Sequence, residues 1–302
     1  MTDRVDLRDI VREHGGELYA GGSAATIPGP GHGRSDRSLS LRLSKDGRVI
    51  FHSFANDPCG EVMKYLGLEA RHSQEADPAE RERLRRLRDE ERRRRIAEDR
   101  AFCAGIWENT EPAEGSLVEA YLWSRGLILE DVPDIRFHPA APRGKPRAEG
   151  ERELPPPHPA MVALARGVDG SPRGLHVTYL SLDGKGKAFG DRSRLMFGQM
   201  RGSAVRLAPA GAVLAVGEGI ETCLSYMAGT TLPTWALLTT SQFATFELPH
   251  RVRRLVIAAD GDKGGMNAAT GLAERQQRAC DVEIHAAPEG KDWADVWEAA
   301  NV

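Results

Sequence analysis

Ala212-Val-Leu-Ala-Val-Gly-Glu-Gly219 and Leu255-Val-Ile-Ala-Ala-Asp-Gly-Asp-Lys-Gly-Gly265 decide how this chain folds. Each opens with five apolar residues, small or β-branched, and then turns abruptly to glycine and acid. Short apolar runs bounded in this way predict strands buried on both faces, as in a parallel sheet. In open parallel sheets, ligands gather at the carboxyl ends of the strands. Glu218, Asp260 and Asp262 are therefore expected on one rim. Carboxylates brought together repel one another unless a cation joins them, and hard oxygen donors suit Mg²⁺ or Mn²⁺. The chemistry most often built on such a rim is metal-assisted phosphoryl transfer.

Outward from these runs the pattern alternates. Ile220–Met227 predicts a helix, Thr234–Thr239 a strand, Met266–Ala279 a helix, Val282–Ala286 a strand and Asp292–Ala300 a last helix. Alternation at this spacing favours a parallel, doubly wound sheet. Upstream, Gly115–Gly126 reads as a helix capped by Ser116, with Leu117, Tyr121 and Leu122 on one face. Pro139–Pro159 reads as an exposed loop, and Met161–Ala165 and Gly174–Leu182 as strands followed by an Asp183-Gly184 turn.

The front of the chain has its own logic. Val5–His14 predicts a short helix and residues 15–33 predict loops. Ser38–Leu43 alternates as a half-buried strand, Lys45-Asp-Gly-Arg48 is a hairpin turn, Val49–Phe54 returns and Gly60–Leu68 closes with a helix. Between Arg81 and Arg100 stand ten arginines and six carboxylates, a local net of +4. With only Leu84, Leu87 and Ile96 as sizeable apolar residues there, this is a solvated charged helix, either a salt-bridged linker or a phosphate-contacting surface.

At 302 residues and a net charge of −3, the chain has room for one large domain or two modest ones, and its overall balance implies no acidic or nucleic-acid partner. Cys59, Cys103, Cys223 and Cys280 are scattered without a C-x-x-C pair, which fits a reducing cytosol. The N-terminus lacks the apolar core of a signal peptide, and no stretch approaches the roughly 20 apolar residues of a membrane span. A cytoplasmic protein without a membrane partner is expected. Gly217-Glu-Gly219 lacks the third glycine of a dinucleotide fingerprint, and Gly184-Lys-Gly-Lys187 lacks Walker spacing, so no P-loop helicase is expected in these residues.

Glu218 after one strand and Asp260-Gly261-Asp262 after a later one resemble the Toprim domain of primases, type IA and II topoisomerases and some nucleases. Gly217–Thr222, Leu175–Leu180, Lys187-Ala-Phe189, Leu195–Gly198 and Ala204–Leu207 resemble Toprim primase-like proteins of phages and mobile elements. The resemblance covers most of Gly115–Val302 and, more faintly, the first seventy residues. It implies a Rossmann-like α/β Toprim domain over 209–302 and a primase-like N-terminal part of the catalytic core, mixed α+β, over 113–208. A charged helical linker over 71–112 and a degenerate zinc-ribbon-like module over 1–70 complete the expected domains. The implied activity is that of a Mg²⁺- or Mn²⁺-dependent DNA primase, joining ribonucleoside triphosphates on single-stranded DNA. A Toprim nuclease or a non-catalytic nucleic-acid-binding subunit are the alternatives.

In the zinc-ribbon pattern Gly29 stands at the first cysteine position, His32 at the histidine, and Ser53 and Asn56 (or Asp57) at the second pair. Structural zinc wants four N or S ligands, so no zinc is expected. At the rim, Glu218 is the candidate acid/base and metal ligand, with Asp260 and Asp262 as catalytic metal ligands. Turn and capping work is the ordinary use of such aspartates. The resemblance offers Asp292 as a further ligand, and an N-cap is the alternative, with Asp295 ranked below it. Glu221 is left open. Lys187, Arg192, Arg194 and Lys263 are candidate nucleotide or DNA contacts, against a solvated hairpin loop and a solvated lysine.

Overall fold

A computed structural model describes residues 6–44, 48–68, 78–146 and 153–301. The chain divides into two compact units, Met1–Arg88 and Asp89–Val302. The residue Val5, the turn residues 45–47 and part of the Pro139–Pro159 segment lie outside the described residues.

The first unit holds α1 (Leu7–His14), β1 (Glu17–Tyr19), β2 (Ala24–Ile27), β3 (Leu39–Leu43), β4 (Val49–Ser53) and α2 (Cys59–Tyr65). Asp6 caps α1 by accepting from Arg8 N at 2.9 Å. The strands pair antiparallel in the order β1-β2-β3-β4. Leu39 and Leu41 point inward from β3 and pack with Leu7, Ile27 and Val62, all fully or nearly fully buried. Two of these strands fall where the sequence predicts loops. They are three and four residues long, too short for alternation to register among glycines.

At the positions singled out by the expected zinc-ribbon-like pattern, this unit has a hydrogen-bonded polar set. His32 Nδ1 lies 2.8 Å from Asp36 Oδ2 and 3.0 Å from Ser38 Oγ, and its Nε2 is 3.5 Å from Asp57 Oδ1. Ser53 Oγ donates to Asp57 Oδ2 at 2.8 Å. A Cβ on Gly29 would fall 2.7 Å from Asp57 Oδ2, so glycine leaves the space that this network fills.

Helix α3 (Pro78–Glu108) runs across the division between units. Leu84 and Leu87 on it are exposed. Beyond the charged stretch its last turns become apolar and bury Cys103 and Ile106 on the sheet of the second unit.

That sheet has ten strands. In chain order the elements are β5 (Glu111–Pro112), α4 (Leu117–Trp123), β6 (Ile135–Ala141), β7 (His158–Arg166), β8 (Pro172–Tyr179), β9 (Arg194–Gly198) and β10 (Ala204–Arg206). Then follow β11 (Val213–Gly217), α5 (Ile220–Thr230), β12 (Thr234–Ala236), α6 (Thr240–Phe243), β13 (Arg254–Ala259), α7 (Lys263–Gln276), β14 (Asp281–Ala286) and α8 (Trp293–Asn301). The strand order is β14-β13-β11-β12-β10-β7-β6-β5, with β8 on β7 and β9 on β8. From β14 to β12 the strands are parallel, and from β10 onward they are antiparallel. The sheet is therefore mixed. Its parallel part is packed on both faces, with Ile220, Cys223 and Leu224 in one core and Leu255, Ile257, Ala269 and Leu272 in another. Each leucine or isoleucine among them contributes roughly 1.5–3 kcal/mol when fully buried.

Two details depart from expectation. The predicted strand Thr234–Thr239 stops at Ala236, because Leu238 turns into the left-handed region with φ +73°. Strand β6 runs on through Pro139 to Ala141, where a register shift after His138 leaves the proline outside the regular ladder. Among the described residues no helix is long and apolar enough to cross a membrane.

Candidate active site

Strands β11 and β13 pair in register, Gly217 beside Ala258, so the residues after them emerge together. Glu218 follows β11 directly, and its carbonyl accepts from Leu238 N at 2.8 Å. Asp260 and Asp262 follow β13. Gly261 between them has no room for a side chain, since a Cβ there would lie 2.0 Å from Pro288 O. That close approach is stitched by Gly261 N donating to Lys291 O at 2.8 Å and Gly290 N donating to Gly261 O at 3.0 Å. It draws the loop carrying Asp292 onto the loop carrying Asp260. Gly265 likewise lets α7 start against Asp260, whose backbone O would be 2.8 Å from a Cβ.

The carboxylates share the rim but not the same duty. Burial pushes the Asp260 carboxyl up to about 7, helped by the negative charges of Asp292, Glu218, Asp262 and Asp295. Its Oδ1 is buried and has no hydrogen-bond partner among the described residues. Glu218 is also raised, first by burial and then by Asp262, while the Thr240 N–H and the Arg194 charge pull the other way. Asp262 caps α7, its Oδ1 accepting from Gly265 N at 2.7 Å. Asp292 and Asp295 cap each other's backbone: Asp295 N donates to Asp292 Oδ1 at 2.9 Å and Asp292 N to Asp295 Oδ2 at 3.0 Å. Thr222 Oγ1 reaches Asp292 Oδ2 at 3.4 Å.

One helical turn past Glu218, Glu221 is buried in a polar knot that the sequence did not disclose. Tyr121 Oη donates to Glu221 Oε1 at 2.7 Å, and Lys187 Nζ lies 2.8 Å from the same oxygen. Burial alone would raise the Glu221 carboxyl; the Lys187 ammonium and the Tyr121 hydroxyl outweigh it and hold it at about 2. His176 on β8 is buried and therefore held neutral, its value lowered to about 4, with Glu221, Arg194 and Lys187 in its electrostatic surroundings. Lys187 is thus engaged with Glu221 in this structure. Arg192 and Arg194 are exposed, Arg194 at the start of β9 within electrostatic reach of Glu218, and Lys263 is exposed at the first position of α7.

A divalent cation fits the rim by charge and by Asp260 Oδ1, a buried acceptor left without a donor. The arrangement is not a closed cage: among the described residues no three His, Cys, Asp or Glu side chains are grouped to hold an ion. The reason is visible in Asp262 and Asp292, which turn their oxygens to helix N-termini.

Residues 213–301 match the family model of the Toprim domain. This part of the chain is a Toprim domain. The segment ahead of it, residues 97–207, matches a domain of unknown function, DUF7146. No curated protein matches the chain. Among solved structures, a DNA primase domain from Pseudomonas aeruginosa is similar at 17% identity and a TM-score of 0.46, over 66% of this chain and 74% of that one. The zinc-binding and RNA polymerase domains of the Aquifex aeolicus primase are similar at 17% identity and a TM-score of 0.45, over 98% of this chain and 80% of that one. Within the Toprim domain of this chain, Glu218, Asp260, Asp262 and Asp292 are the rim carboxylates, and Tyr121 and Lys187 reach it from the preceding segment.

Proposed function

We propose that this protein is a primase-like Toprim enzyme that joins ribonucleoside triphosphates into primers on single-stranded DNA, in the replication of a mobile element or phage. The observation that carries the reading is Asp260, a half-buried acid whose buried Oδ1 has no partner among the described residues, set among like charges at the end of a Toprim strand. Asp260, Asp262, Asp292 and Glu218 would hold Mg²⁺ or Mn²⁺. Bound there, such an ion supplies charge neutralisation for a triphosphate and lowers the pKa of an attacking hydroxyl. Glu218, raised by burial, takes the proton of the primer 3′-hydroxyl at its carboxylate; the hydroxyl oxygen bonds to the α-phosphorus as the α–β phosphoanhydride breaks and pyrophosphate leaves. Arg194 and Arg192 offer guanidinium groups to phosphate oxygens. The first unit works without zinc in this reading, its His32–Asp36–Asp57 network standing in for a metal. A separate helicase supplies the unwound strand.

A second reading, a non-catalytic nucleic-acid-binding subunit, is favoured by one observation: among the described residues the carboxylates are not grouped as a ready cage. One assay separates the two. Labelled ribonucleotide incorporation on mixed single-stranded templates with Mg²⁺ or Mn²⁺ is expected from the native protein. It is expected to vanish, together with Mg²⁺-dependent thermal stabilisation, in Asp260→Asn/Asp262→Asn. Asparagine keeps the Asp262 cap, so the fold should hold. Strand binding without incorporation would favour the second reading, and full activity in the double variant would sink the first.

A further inference from the structure

Phe189 lies in the left-handed region, with φ +66° and ψ +17°. A bulky side chain rarely adopts that conformation, and it persists only where the surroundings impose it. Here Tyr179 clamps both ends of the loop. Its carbonyl accepts from Ala188 N at 2.9 Å, and its N–H donates to Ser193 O at 2.8 Å. Within the loop Arg192 N donates to Phe189 O at 3.0 Å. The constraint does not serve to bury the ring, because Phe189 remains 41% exposed.

What the conformation achieves is a stack. The Arg143 guanidinium carbon lies 3.6 Å from the Phe189 ring centroid, and the His158 ring stands edge-on at 4.7 Å. Arg143 also lies 5.8 Å from the Tyr179 ring, and no carboxylate pairs with it among the described residues. Two residues before Phe189, Lys187 is fastened to Glu221, so the loop is tied to the helix that follows Glu218. Three residues after it, Arg192 is exposed. Single strands are held by such combinations, in which bases stack on aromatic rings and guanidinium planes while cations follow the phosphates.

We infer that Phe189 and Arg143 form a base-stacking platform that holds single-stranded DNA beside the acidic rim. The inference rests on the reading that the protein works on single strands. Its test is binding, by fluorescence anisotropy, to a labelled oligothymidylate and to an abasic strand of equal length, in EDTA so that no phosphoryl transfer intervenes.

Phe189→Trp should keep the native affinity for oligothymidylate. Phe189→Leu, which keeps apolar bulk without the ring, should weaken it about five- to hundredfold. All three proteins should bind the abasic strand alike. Should Phe189→Leu fail to fold, Arg143→Gln provides a second variant with the same expected loss on bases alone. Four outcomes would overturn the platform: native protein that binds neither strand, native protein that binds both equally, native-like binding by Phe189→Leu, or equal loss on both strands. Failure of ribonucleotide incorporation alongside Phe189-dependent binding would sink the primase reading and leave the platform standing; the reverse result would do the opposite.

Discussion

Asp260 carries the sharpest electrostatic consequence at the scale of single residues. Its carboxyl is raised to about 7, from an ordinary value near 4, by burial and by its acidic neighbours. A group raised on folding favours the folded state at low pH and withdraws that support as pH climbs through the raised value. Asp260→Asn should therefore melt higher than the parent at about pH 8 in EDTA, by roughly 1–2 kcal/mol after solvent screening, and equally at about pH 4. A pH-independent difference in thermal melts would contradict this. The acids themselves were legible, because carboxylates after buried strands are a sequence pattern. Capping and metal binding stood as alternatives for Asp262 and Asp292. Among the described residues Asp260 Oδ1 is unpaired while Asp262 and Asp292 cap helices, and Gly261 meeting Pro288 draws the Asp292 loop onto Asp260, a contact that spacing does not encode.

Among elements, the tie between α5 and the chain ahead of β9 matters most. Glu221 on α5 receives Lys187 from the β8–β9 connection and Tyr121 from α4. Lys187→Met would leave a buried carboxylate facing only a hydroxyl, at a cost of about 2–4 kcal/mol. Adding Glu221→Gln should restore part of it, as urea melts can measure; an unchanged midpoint in Lys187→Met would show the pair to be idle. Helices α5, α7 and α8 were readable from apolar periodicity and capping residues. Strands β1 and β2 were not, since three or four residues beside glycines carry no period. Tyr121 was read as one more core residue on its helix face; its hydroxyl's partner lies in another family segment, beyond local pattern.

Across the whole molecule, alternation of strand and helix made the α/β class plain, and the parallel strands β11, β13 and β14 lie where apolar runs placed them. The antiparallel half was less visible, because β10 joins β7 and β12 through pairings distant in sequence. That junction has a further consequence. The chain passes from one matched segment to the next through Ala208-Pro-Ala-Gly-Ala212 alone. Around it, the two segments grip each other by the β10–β12 ladder, by Glu221, by Arg125 with Glu298 at 2.9 Å and by Trp297 Nε1 donating to Gly126 O at 3.0 Å. A grip of this breadth does not depend on the peptide that spans it. The protein is thus a natural candidate for fragment complementation: cut at a protease site inserted between Pro209 and Ala210, its pieces should still co-elute as a native complex on gel filtration. Pieces that separate would reveal the short connector as a structural necessity; pieces that stay together would make this molecule a heterodimer whose subunits are translated in one reading.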